Sequence, residues 1–267
     1  MRVAITGHAV HVPGLSEADI PGSPPEPAVG PADAHRLLGR KGLLAKEPAT
    51  RLAMCATHEA LGLPSGKPTE PIAGAAGTAV VVASNLGNVA TVCEVVDQVR
   101  TEGGHAVSPL VAPNASSNII ASSIALRYRF TGPNFLVCSG ATAGLDAVRL
   151  GALLIRTGRT HRSVVVGVEP DDEIATALCP GLRAAAAAVV LEPLHADEGT
   201  VLGPVTRSRT PLGSTVDLPV RTYGAAGVLG VAVAAALGED QLVACGDADD
   251  GYAAMPVTHI RALVGAP

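Results

Sequence analysis

Along this chain, short and wholly apolar runs alternate with stretches in which apolar residues return every three or four positions. The first pattern predicts buried strands and the second predicts helices with one covered face. Arg2 to His11 reads as a first strand, closed by a turn at Pro13-Gly14. Residues 15–34 are rich in Pro, Gly and Asp and read as a loop on the surface. Helical patterning starts near Pro48, where Leu52, Cys55, Ala56 and Ala60 share a face. Thr78 to Ala83 follows as a buried strand and Ser84 to Asn88 as a turn. A helix then runs to about Arg100 on a stripe of Val89, Val92, Cys93 and Val96. Ser108 to Asn114 is an extended loop with two prolines. Asn114 is placed to accept a hydrogen bond at the start of a helix over Ser116 to Arg129, which carries Ile119, Ile120, Ile124 and Leu126.

The pattern is densest between Thr131 and Pro170. Phe135 to Cys138 is an apolar run bounded by Pro133 and Gly140, so it reads as a buried strand. From Thr142 the period changes, and Ala143, Ala147, Leu150, Leu154 and Ile155 fall on one helical stripe. That helix stops at Gly158, with Arg156 and Arg159 where cations suit a helix C-terminus. Ser163 to Val168 is a second buried strand, and a strand–helix–strand unit of this spacing implies a parallel crossover. The tight turn Ser139 to Thr142 joins strand to helix, where helix N–H groups face outward and α/β folds place reactive groups. Further strands are expected over Ala184 to Glu192, Gln241 to Cys245 and Met255 to Leu263, with an apolar helix within Gly224 to Leu237.

Composition narrows the class. Nearly half of the 267 residues are apolar, but only 2% are aromatic, so small side chains must pack in close layers, as in an α/β/α stack. A net charge of −5 argues against nucleic acid and against a basic membrane surface as partner. Five dispersed cysteines without a CxxC pair suggest reduced thiols in a cytoplasmic protein. The first residues do not form a secretory h-region, and the apolar run at 224–237 is too short to span a bilayer. His8 and His11 fall on opposite faces of a strand and the other histidines are isolated, so no metal site is expected. Asp171-Asp172-Glu173 reads as a solvated acidic loop. Gly74 to Gly77 precedes a strand instead of following one, which fails the order of a dinucleotide loop.

The residues around the turn also carry a resemblance. Gly132-Pro133-Asn134, Gly144-Leu145-Asp146-Ala147-Val148 and Leu154-Ile155-Arg156 resemble the nucleophile region of β-ketoacyl synthases, which use the thiolase fold. SPLVAPN at 108–114 and IALRYRFTGPN at 124–134 extend the likeness, so it is continuous from about Ser108 to Pro170. Val220 to Leu229 resembles the family's late GH-x-x-GAAG motif. The resemblance places the family's nucleophilic Cys on Ala141 and a catalytic His on Arg221, and no HGTG survives. A methyl group cannot carry an acyl chain. In these departures the chain is similar to chain-length factors, the degenerate partners of type II polyketide synthases.

The resemblance implies one thiolase-like α/β/α domain over 1–267, with 1–200 as an N-terminal half and 201–267 as the remnant of a truncated second half. It implies no catalytic residue and no cofactor or metal. It also implies a heterodimer with an active ketosynthase, which would supply the Cys nucleophile and the acyl-carrier contact. Tunnel or interface positions would be Asn114, Asn118, Phe135, Cys138, Ser139, Thr142 and Tyr223. Two other functions stay open. One is a stand-alone acyl-thioester enzyme using Ser139 or Cys138, although Cys138 is expected to face the core as a small hydrophobe. The other is a homodimeric pseudoenzyme that binds acyl chains or acyl carrier protein.

Overall fold

The computed structural model describes residues 1–261. Its strands are β1 (Val3–His11), β2 (Ala79–Ala83), β3 (Asn134–Val137), β4 (Ser163–Glu169), β5 (Ala185–Pro193), β6 (Gly199–Leu202), β7 (Thr206–Ser208), β8 (Gln241–Asp247) and β9 (Gly251–Ile260). Its helices are α1 (His35–Leu38), α2 (Pro48–Ala60), α3 (Val89–Glu102), α4 (Ile119–Tyr128), α5 (Ala143–Arg156), α6 (Glu173–Leu178) and α7 (Ala226–Leu237). Among the described residues the strands form one mixed sheet in the order β3-β2-β4-β5-β1-β6-β9-β7, with β8 paired to β9.

β3 and β4 both run parallel to β2, which lies between them, so β3–α5–β4 is the expected parallel crossover. From β4 onward the neighbours are antiparallel. Strand alternation divides the interior in two. Ala79, Val81 and Ala83 of β2 join the cluster that holds α5 and α7, whereas Val80 and Val82 join α2 and α4 on the other face. The sheet is thus the middle layer of an α/β/α stack, and β4 is buried from end to end because helices cover both its faces.

Small residues set how closely the layers approach. α7 is almost entirely apolar and packs against α5, β1, β5 and β8. A Cβ built on Gly144 of α5 would lie 2.7 Å from the backbone nitrogen of Gly227 in α7, so these two helices touch through glycine. Glycines in the left-handed region end both helices, at the stop expected for α5 and at one not named in advance for α7. Gly158, at φ 69°, follows α5, and Gly238 closes α7 at the same angle.

Several expectations need correction. Phe135 to Cys138 is not a buried strand. β3 is the sheet edge, Phe135 is 41% exposed, and the Cys138 thiol faces solvent and not the core. The apolar stripe of α3 is not covered either, and none of its residues is buried. Asn114 does not cap α4. It sits in a 3-10 turn (Ala112–Ala115) and donates to the Ala45 carbonyl at 2.6 Å, while Asn118 holds the N-cap position without a side-chain cap bond. Asp172 belongs to a cap, not a solvated loop, accepting from the N–H groups of Ile174 and Ala175 at the start of α6. The 15–34 loop is partly interior, with Ile20 fully buried. β6 and β7 were not anticipated. Ala262 and Leu263, the end of the last expected strand, lie outside the described residues.

Candidate functional site

The turn between β3 and α5 is built for close backbone work. Gly140 holds φ 69°, a 3-10 turn over Gly140–Thr142 leads into α5, and the Ala141 methyl is buried at 5% exposure. Asn85 grips Gly140 from both sides: its Oδ1 accepts from the Gly140 N–H and its Nδ2 donates to the Gly140 carbonyl, each at 3.0 Å. Asn85 is itself held by Glu169 at the end of β4. The Asn85 N–H donates to Oε1 at 2.8 Å, the Leu86 N–H to Oε2 at 2.9 Å and the Ser84 hydroxyl to Oε2 at 3.3 Å. Glu169 is completely buried, and burial pushes its carboxyl up to about 7 against the pull of these donors. Gly224, in the turn before α7, lies against Asn85 and Glu169 with no room for a Cβ. The 84–88 and 222–226 turns therefore meet at the Glu169 carboxylate, and the 139–142 turn is tied to it through Asn85.

A second carboxylate closes the turn from outside. The Ala141 N–H, at the N-terminal end of the α5 stretch, donates to Asp250 Oδ2 at 2.7 Å. The Tyr223 hydroxyl donates to the same oxygen at 3.2 Å, and Tyr223 holds the left-handed φ of 42° to do so. Burial, then the Asp250 charge, push the Tyr223 phenol up to about 12, so it stays a donor. An oriented N–H at a helix start is where an oxyanion or carbonyl oxygen would be received. Here the β8–β9 hairpin fills that position.

The nucleophile candidates lack a base. The Ser139 hydroxyl donates to Asp146 Oδ2 at 2.7 Å, and the Thr142 hydroxyl donates to the same atom at 3.1 Å. Arg207 pairs with the other oxygen of Asp146. Both oxygens of Asp146 are thus already engaged, Oδ2 by the two hydroxyls and Oδ1 by the guanidinium. No histidine hydrogen-bonds to Ser139 or Cys138 among the described residues. His11 pairs with Glu59, His58 with the Pro64 carbonyl, and His259 with Thr200. No group of three or more His, Cys, Asp or Glu side chains is placed to hold a metal ion among the described residues.

Of the expected site residues, Ser139, Thr142 and Tyr223 converge on the turn, as does Ala141. Arg221 does not reach it: its backbone bridges to Leu182 and its guanidinium donates to the Pro180 carbonyl at 2.9 Å. Asn118 and Phe135 lie by the β3 edge, where the Asn118 amide donates to Asn134 Oδ1 at 2.6 Å. The Asn114 carbonyl accepts from Asn88 at 3.0 Å, tying the start of α3 to the 112–115 turn. Sequence reasoning missed Asn85, Glu169, Arg207 and Asp250. Asp247 to Gly251 carries a hairpin-turn composition, but nothing in it names the turn it reaches.

Comparison with known proteins adds to this geometry. A family model for the beta-ketoacyl synthase N-terminal domain matches residues 38–195. No curated protein matches the chain in sequence. Among solved structures, the ishigamide ketosynthase/chain length factor aligns with a TM-score of 0.73 at 17% identity, covering 98% of this chain and 100% of that one. A ketosynthase in complex with its chain length factor from Xenorhabdus doucetiae aligns at 0.60 and 16% identity, covering 97% and 99%. A type II polyketide acyl-carrier protein complex with its ketosynthase aligns at 0.71 and 12%, covering 96% and 99%. At such identities the likeness speaks for the fold, a thiolase-like α/β/α arrangement.

Proposed function

We propose that this chain, which belongs to the β-ketoacyl synthase family, is a catalytically silent subunit that pairs with an active ketosynthase and shapes its acyl tunnel, as a chain-length factor does. The observation that carries this is the state of the nucleophile turn. A methyl stands at Ala141, and the backbone N–H beside it is already bonded to Asp250. Neither half of an acyl-transfer centre, nucleophile or open oxyanion position, is available.

The partner would cover the β3 edge and α3. An edge strand presents unpaired backbone groups, Phe135 on it is exposed, and Val92, Val96 and Val99 leave apolar surface on α3. Cys138 would then face the partner with Asn118 beside the same edge, whereas Asn114, expected there as well, is buried and bonded to Ala45 inside the chain. In this proposal residues 1–200 correspond to the family's N-terminal half and 201–267 to a shortened remnant, Arg221 stands at a lost His position, and the complex works in the cytoplasm. No helix among the described residues is long and apolar enough to cross a membrane. A stand-alone acyl-thioester enzyme finds support only in the exposed Ser139 and its bond to Asp146, and the Arg207 pair on Asp146 weighs against it. Co-purification with the ketosynthase encoded beside it tests the proposal. A stable heterodimer is expected, and a chain that stays monomeric or self-associates with that ketosynthase present would contradict it.

A further inference from the structure

A cavity of about 440 Å³ opens between the start of α2, the start of α3 and the Pro170–Asp172 loop, with no residue of the 139–142 turn in its wall. Its walls combine acid with apolar surface: Glu47, Glu94, Asp171 and Asp172 beside residues such as Leu52 and Pro170. Glu47 is the unusual member. It stands at the N-cap position of α2 but makes no side-chain cap bond. It is only 9% exposed, and its Oε2 is buried without a hydrogen-bond partner among the described residues. Burial pushes this carboxyl up, as do the charges of Glu94 and Asp172, while a hydrogen bond from the Thr91 hydroxyl and the Lys46 charge pull it part of the way back.

The cations nearest in sequence are committed elsewhere. Lys46 donates to the Ser123 hydroxyl at 2.9 Å, and Arg51, one helical turn on, donates to the Pro31 and Leu43 carbonyls. A buried carboxylate with one oxygen left without a donor is costly, and a cation from outside the chain would relieve it. The acids do not converge as metal ligands do, and the apolar walls suit carbon. We infer that this cavity binds an organic cation, an ammonium group on an aliphatic stem seated against Glu47. Either a free alkylamine or a lysine side chain of another protein has that chemistry.

Titration calorimetry of the full chain with n-butylammonium chloride, at constant ionic strength, tests this. Saturable single-site binding is expected that n-butanol does not reproduce. Glu47→Gln should weaken it about tenfold or more, and the more exposed Glu94→Gln about two- to threefold. Should Glu47→Gln fail to fold, Ala90→Leu, which fills the cavity from α3, should also weaken binding about tenfold. Tighter binding of Nα-acetyl-lysine methylamide than of butylammonium would point to a lysine side chain, and the reverse to a free amine. Equal binding of n-butanol, equal competition by sodium, or unchanged affinity in both Glu47→Gln and Ala90→Leu would overturn the inference.

Discussion

Two carboxylates decide what the turn at Ala141 can do. Asp250 satisfies the Ala141 N–H from 109 positions away in sequence. Removing it with Asp250→Ala should leave that N–H open to a small anion. The expected result is an acetate-dependent shift of the Ala141 amide signal by NMR in the variant and none in the natural chain. Glu169 sets a pH dependence. Its carboxyl is raised in the folded state relative to the unfolded chain, so the native state holds a proton through the window from about 4.5 to about 7. Its contribution to stability is full below that window and is lost as pH rises through it. Denaturation midpoints should therefore fall between pH 5 and pH 7, and Glu169→Gln should flatten that slope. Ser139, Ala141 and Thr142 could be singled out because they share one local motif, and Tyr223 because it lies in a second one at 220–229. Asn85, Glu169 and Asp250 were not, because each acts on a turn more than 50 positions away, and no local pattern records such a bond.

The elements divide by how well periodicity reports burial. β2, β4, β5, α2, α5 and α7 sit inside the chain's own layers, and their apolar patterns named them correctly. β3 and α3 carry the same kind of pattern, yet they are exposed. Their apolar residues were read as core because periodicity registers that a face is apolar, not which molecule covers it. Val96→Asp on α3, at 46% exposure, should leave the lone chain folded and weaken heterodimer formation by roughly tenfold or more in a binding titration. Gly144→Ala should act inside the chain instead. A methyl aimed at the Gly227 backbone forces α5 from α7, with an expected loss of about 1–3 kcal/mol in urea denaturation.

For the molecule as a whole, the succession of strands along the chain and the single crossover were legible as far as β5, as was the long apolar α7 after it, but the order of the strands in the sheet was not. Between Pro193 and Val220 the sequence says little. β6 and β7 are short and carry polar residues, and pairing with β9 is what makes them strands. Among the described residues β3 and α3 are left uncovered, and the turn at 139–142 is filled by the β8–β9 hairpin. Intact-mass analysis after incubation with an acyl-carrier-bound substrate, for this chain alone and together with its ketosynthase, tests that picture most directly. The expected result is no acyl adduct on this chain in either sample, with elongation only when the ketosynthase is present. An adduct or elongation from the lone chain that Ser139→Ala or Cys138→Ala abolishes would contradict it.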